Sequence, residues 1–490
     1  MHHRFVLLAA LAAVSAAAPA SAATLTRAHA VLPASKAAAA PAAPTAPDVG
    51  AQSIGDSIFP TIGNGGYDAQ HYDLNLTYVP GAHLLEGTTT MTAVATQPLR
   101  EFSMDFDGFT IVALTVNGIP ATNARASDNA NKLVIDPATP LKVGERFSVA
   151  VTYAGSPPVI TDEDNSQEGF LPDGDGAMVV CEPVGSMGWF PNNDTPADKA
   201  TYDISLTVPV GMTVLANGQL VSSDVGATGQ TWHWRESEPM ASYLATATLG
   251  HFQVRHDTTA DGINIDIGVA LPYAFPPVDD GTLDRLPEIL SFLESLYGPY
   301  PFTEAGAIVA PAPVTYALET QTKPNFPLPP DPVTLAHETA HQYWGDSLAL
   351  NDWKDIWLNE GFATWSEWAF DERRNGGATL ASDFAGVYAK TGTYWSLPPA
   401  NPGSGANIFS TEVYERGGAT LEGLHQIVGE DAFLNIMRTW YARNRNGNVD
   451  TAGFIAVAKE LGGVDQDRLG DYLQQWLYGT TKPTITPQTF

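Results

Sequence analysis

Residues 337–341 read His-Glu-Thr-Ala-His. On a helix, positions i and i+4 lie one turn apart on the same face, so His337 and His341 can both reach one metal ion. Glu338 is turned about 100° away around the helix, where it stands beside such an ion and can touch a water molecule instead of ligating. That division of labour is what metal-assisted hydrolysis requires. Two solvated histidines and a surface Glu on an amphipathic helix would read the same way, so the motif needs support. Glu360 supplies it. It lies in the apolar run Trp357-Leu358-Asn359-Glu360-Gly361-Phe362-Ala363, where an unpaired carboxylate would be costly. A second helix folding back on the first could bring Glu360 to the metal. Two His and one Glu leave a fourth position open to water, and an imidazole pair favours zinc, one Zn2+ ion, over other divalent ions. Glu367, seven residues further on, is either a partner for a ligand His or a surface charge.

The elements that must position these residues are legible as a change of period. From about residue 60 to 270, apolar residues alternate with polar ones, as in Tyr72-Leu74-Leu76-Tyr78, Phe147-Val149-Val151-Tyr153 and Tyr202-Ile204-Leu206-Val208. Ile263, Ile265, Ile267 and Val269 follow Asp261-Gly262, a hairpin-turn pair. These runs predict an antiparallel sheet or sandwich. After about 280 the spacing turns helical, with Leu286, Ile289, Leu290, Leu293 and Leu296 stopped by Pro299 and Pro301. Further helices are predicted at about 332–345, 354–374, 412–428, 431–442 and 451–461. Asp352 is expected to cap the second of these, with Asp355 completing a capping-box-like pattern. The fold class is therefore α+β multidomain: an antiparallel β-sandwich-like domain at 58–253, a mainly helical domain at 254–482 and a tail at 483–490.

The chain has 490 residues, 24 Lys plus Arg against 54 Asp plus Glu, and a net charge of −30, which excludes a nucleic-acid partner. Residues 1–22 have a short basic start, an apolar run from Phe5 to Ala18 and a small-x-small site at Ala20-Ser21-Ala22, the pattern of a signal peptide. Secretion is expected, without stable membrane insertion after processing. Residues 23–57, rich in Ala and Pro, are taken as a linker. Cys181, the one cysteine, cannot form an intrachain disulfide and reads as a buried small hydrophobe. The acidic residues Asp162, Glu163, Asp164, Asp173 and Asp175 fit no defined calcium loop and read as a solvated loop. Nothing calls for an obligate assembly, so a monomer is expected.

His337-Glu338-x-x-His341, an eighteen-residue gap and Glu360 within Asn-Glu-Gly-Phe-Ala together resemble the gluzincin aminopeptidases, the family of aminopeptidase N and the leukotriene hydrolases. Tyr297-Gly298-Pro299-Tyr300-Pro301-Phe302 and the Trp189-Phe190-Pro191 segment ending in Asp198-Lys199-Ala200 extend the resemblance over roughly residues 60–480. It implies a thermolysin-like zinc peptidase domain that acts by direct water attack with Glu338 as general base. It also implies that Glu319, in Tyr316-Ala317-Leu318-Glu319-Thr320, binds the substrate amino terminus, with Glu182 as a second carboxylate. Tyr414, in Val413-Tyr414-Glu415-Arg416-Gly417-Gly418-Ala419, would stabilise the oxyanion. Two departures stand out. The Gly and Asn that flank the family's recognition Glu are Tyr316 and Thr320 here, and the chain is a short form lacking the C-terminal helical domain of long members. The activity implied is release of N-terminal residues from peptides with a free amino terminus. The alternatives are a zinc hydrolase acting on blocked peptides or an epoxide, and a non-catalytic zinc-stabilised binding module.

Overall fold

The computed structural model describes residues 48–126, 131–274 and 281–490. The signal-peptide segment 1–22 and the linker up to residue 47 lie outside the described residues. The end of the expected linker does not behave as one. Gly50 N donates to Glu101 O at 2.8 Å, and buried Asp56 accepts at 2.8 Å from Trp353 N, 297 residues away. Asp48 also pairs with Arg100 at 3.0 Å and Ser57 Oγ donates to Asp352 at 2.7 Å, contacts of a few scattered polar groups that composition could not reveal.

An eight-stranded sheet runs in the order Gln219–Val225, Gln230–Ala241, Lys199–Val208, Tyr67–Val79, Leu84–Ala95, Arg146–Gly155, Thr110–Val116, Ile119–Pro120. Tyr72, Leu74, Leu76 and Tyr78 are buried and Asp73 and Asn75 exposed, so the period-two pattern has one face on the core. A five-stranded sheet that includes Gln167–Asp173 and Gly176–Val180 packs on that face, with Phe170 and Tyr78 ring centroids 4.9 Å apart. The sandwich is not wholly antiparallel. Tyr67–Val79 pairs with Lys199–Val208 in parallel, joining strands that a long crossover separates.

A four-stranded sheet, Phe252–Thr258, Asn264–Ala270, Glu304–Val309 and Asn325–Phe326, opens the mainly helical part. Among the described residues, eight α-helices longer than the four-residue Leu271–Ala274 accompany it, the first between its second and third strands and the rest after it: α1 Leu286–Tyr297, α2 Pro332–Ala340, α3 Trp357–Phe370, α4 Leu380–Ala389, α5 Gly417–Val428, α6 Glu430–Asn444, α7 Thr451–Leu461 and α8 Gln466–Leu477. The sequence pattern missed α4 and α8. The buried residues of α4 are only Leu380, Phe384 and Val387, and those of α8 are interspersed with charged and amide side chains. Asp352 does cap a turn, accepting from Lys354 N, but Asp355 serves another helix: it accepts from Thr451 Oγ1 at 2.5 Å. The expected tail also packs, with Ile485 O accepting from Trp476 Nε1 at 2.9 Å. Among the described residues no helix is long and apolar enough to cross a membrane.

Glycine sets one decisive distance. A Cβ on Gly361 of α3 would stand 2.8 Å from Gly417 Cα, so the two helix backbones touch where α5 begins. A side chain at either position must push them apart. Gly361→Ala is expected to destabilise the protein by about 1–3 kcal/mol, as other overpacked sites do. Denaturant unfolding checks this, and a midpoint equal to the parent's would contradict the close contact.

Candidate metal centre and active site

Asp331 starts α2: its carboxylate accepts from Val333 N at 2.8 Å and Thr334 N at 2.9 Å, with Pro332 in the first turn. Leu335, Ala336 and Ala340 bury the helix, and with it His337 and His341. Each histidine is oriented through its Nδ1. His337 Nδ1 meets Glu367 Oε2 at 2.8 Å, and His341 Nδ1 meets Trp344 O at 3.0 Å. Helix α3 carries Glu360 to the opposite edges of the rings, where its Oε2 lies 3.4 Å from each Nε2. One ligand atom from each of the three residues lies within 4.8 Å of the others, all buried.

The charge at this point fits a divalent cation. Burial alone would lower both imidazoles, but Glu367 and Glu360 hold His337 well above the usual range, and Glu319 and Glu360 push His341 up to about 9. Burial would raise Glu360, and the two imidazoles bring it down to about 2. The buried carboxylates thus draw positive charge to the point where the two imidazoles meet. An ion bound between the Nε2 atoms and Glu360 would supply that charge, and the donor set of two nitrogens and one oxygen suits zinc. The orientation of each ring by a carboxylate or a carbonyl is the usual support for metal-ligating imidazoles.

Glu338 faces the same space. Burial raises it to about 7, against the lowering effect of the two imidazoles. Glu319, Glu338 and His341 also bring ligand atoms within 4.8 Å of one another, so Glu319 borders the same site. Its backbone is held by Gln342, the residue after the motif, whose Nε2 donates to Glu319 O at 2.9 Å and whose Oε1 accepts from Thr322 N at 2.7 Å. Glu319 Oε1 is buried without a hydrogen-bond partner, and burial raises the carboxyl above its ordinary range. Such an oxygen calls for a donor from outside the chain.

Glu182, which follows the strand Gly176–Val180, lines the same cavity as Glu319, with Tyr316, Phe409 and Tyr414. Tyr414 is buried and stacks on His337, ring centroids 6.0 Å apart and planes 19° apart. The structure therefore brings together all seven residues singled out in sequence and gives Glu367 to His337. Gln342 and the carbonyl of Trp344 were missed. A carbonyl leaves no trace in residue type, but Gln342 directly follows the motif and is open to suspicion on that ground alone. Buried Cys181 stands apart from this chemistry, its thiol pushed well up by burial.

Comparison with known proteins agrees with this geometry. The peptidase family M1 domain matches residues 332–476 and the peptidase M1 N-terminal domain matches residues 68–244, together well over half of the chain. The chain belongs to peptidase family M1. An M1 zinc metallopeptidase from Deinococcus radiodurans, as a variant bound to a Tyr-Ser-Ala substrate, superposes with a TM-score of 0.81 at 29% identity, over 90% of this chain and 100% of that one. A two-domain M1 zinc metallopeptidase variant bound to L-arginine gives 0.80 at 29%, over 90% and 100%. Aminopeptidase N of Lactobacillus helveticus is 24% identical over 86% of this chain and 52% of its own length. Aminopeptidase M1-D of Oryza sativa subsp. japonica is 23% identical over 59% and 35%. This M1-family chain thus spans between a third and a half of the length of such curated relatives.

Glu367→Ala is expected to weaken zinc binding by about 10–100-fold, because the His337 ring loses its orienting partner. Competition against a chromogenic chelator measures this, and an unchanged affinity would contradict the role given to Glu367.

Proposed function

We propose that this M1-family protein is a zinc aminopeptidase that removes the first residue of peptides with a free amino terminus. The observation that carries the proposal is Glu319, a buried carboxylate with a partnerless oxygen in the wall of the cavity that holds the metal ligands. A substrate α-ammonium there would satisfy that oxygen by a charge-assisted hydrogen bond and fix the cut one residue in. Glu182 supplies a second carboxylate beside the same ammonium.

When bound by His337, His341 and Glu360, zinc supplies a Lewis acid for the scissile carbonyl. Glu338, on the same helix turn, takes the proton of the attacking water and passes it to the leaving amine. Burial to about 7 suits this exchange, since a base works best near the operating pH. Tyr414, stacked on His337, offers its hydroxyl to the oxygen on which negative charge develops. Bulky Tyr316 and Phe409 in the cavity wall leave the first side chain limited room. The apolar stretch at the start of the chain supports export, so the peptides met would be outside the cytoplasm.

Glu338→Ala is expected to bind zinc as the parent does and to lose about 10²–10⁴-fold in kcat. Metal content and steady-state kinetics on an alanyl-amide substrate read the two effects separately; near-parental kcat would remove Glu338 as the base. Acetylating the substrate amine tests the recognition of the terminus. Activity on the free peptide is expected to vanish on the acetylated one, and equal cleavage of both would favour a hydrolase of blocked substrates.

A further inference from the structure

A second cavity, of about 420 Å³, adjoins the metal centre. It lies between α3, α4 and the Tyr414–Glu415 segment, and its volume is within the range of ligand pockets. Tyr414 lines both cavities, whereas Glu319 and Glu182 line only the first. Glu367 forms part of its wall, on the far side of the His337 ring from Glu360. A peptide with its ammonium at Glu319 and its scissile bond at Glu338 therefore continues past Tyr414 into this second space.

The lining is polar in a particular way. Trp368 on α3 presents a partly exposed indole, and Val387 on α4 an apolar base. Gly386 has nothing within 4 Å of where a Cβ would stand, so the wall of α4 is open there. The single lining cation, Lys390, is engaged with Glu415 and lies over the Tyr394 ring at 4.5 Å. Asp383 has no cation within ion-pair distance among the described residues. Its surroundings are instead acidic: after burial, Asp371, Glu367, Glu372 and Glu422 all act to raise it, to about 6. An indole and a carboxylate without a cation, lining one cavity, suit a long cationic side chain whose stem packs on the ring and whose charge pairs at its end.

Resting on the aminopeptidase reading, we propose that this cavity receives the side chain of the residue that follows the cut bond, and that Asp383 and Trp368 select Lys or Arg there. The first cavity would set which residue is removed, and the second which residue is left at the new amino terminus.

The test uses the zinc-loaded full-length protein and three peptides, Ala-Arg-Ala, Ala-Leu-Ala and Ala-Glu-Ala. The kcat/KM for the Arg peptide is expected to exceed that for the Leu peptide about tenfold, the scale of one charge-assisted contact, with the Glu peptide slowest. Raising ionic strength is expected to narrow the gap. In Asp383→Asn the Arg-to-Leu ratio is expected to fall toward one, and in Asp383→Lys the Glu peptide is expected to overtake the Arg peptide. Equal kcat/KM for the three peptides in the parent protein, or a ratio unmoved in both variants, overturns the proposal while leaving aminopeptidase activity intact. Failure to cleave any of the three overturns the aminopeptidase reading itself, and this proposal with it.

Discussion

Glu319, Glu338, Glu360 and Glu367 are buried around two buried imidazoles, and that concentration of charge is stable only around a cation. Removing even one ionised carboxylate from water is expensive unless it is paired. Here the pairing is arranged so that every ligand oxygen or nitrogen is aimed inward, while Glu367 and the Trp344 carbonyl occupy the outer edges of the rings. The same surroundings shape the chemistry: burial raises the Glu338 carboxyl to about 7, and Glu319 Oε1 has no hydrogen-bond partner.

The scaffold is best understood as what holds those groups against one another. Helix α2 sets the two histidines, and Asp331 fixes where it begins. Helix α3 delivers Glu360 and Glu367 from one face, about two turns apart, and its Gly361 meets Gly417 next to the segment in which Tyr414 lies over His337. The β domain contributes through strand ends rather than strand faces. Glu182 leaves the strand Gly176–Val180, and Asn217 Nδ2 donates to Gln321 O at 2.8 Å, tying that domain to the loop that carries Glu319. The metal site and the segment that carries Glu319 are thus joined through Gln342, which follows the zinc motif in sequence and hydrogen-bonds to Glu319 and Thr322.

Much of the site was legible because its chemistry restricts residue type. Ligands at i and i+4, and a Glu stranded in an apolar helix, are visible without coordinates. The β domain was legible for a similar reason: Tyr72 to Tyr78 and Tyr202 to Val208 alternate because one face of each is buried. What escaped depends on groups that residue type does not encode. The parallel pairing of Tyr67–Val79 with Lys199–Val208 is a matter of topology, and residues 48–57 are held by backbone bonds and the scattered polar side chains Asp48, Asp56 and Ser57. Helix α4 escaped because a helix with three buried residues has a weak period, and with it went Asp383 and the second cavity.

The central claim is that two imidazoles and one carboxylate of this chain hold a single zinc ion. X-ray absorption at the zinc edge of the purified protein, with zinc content measured on the same sample, tests it most directly. The account predicts one ion per chain in a shell of nitrogen and oxygen only, at about 2.0–2.2 Å, with the outer-sphere scattering of two imidazoles. A sulfur neighbour at about 2.3 Å, a single imidazole, or no tightly held zinc would contradict it.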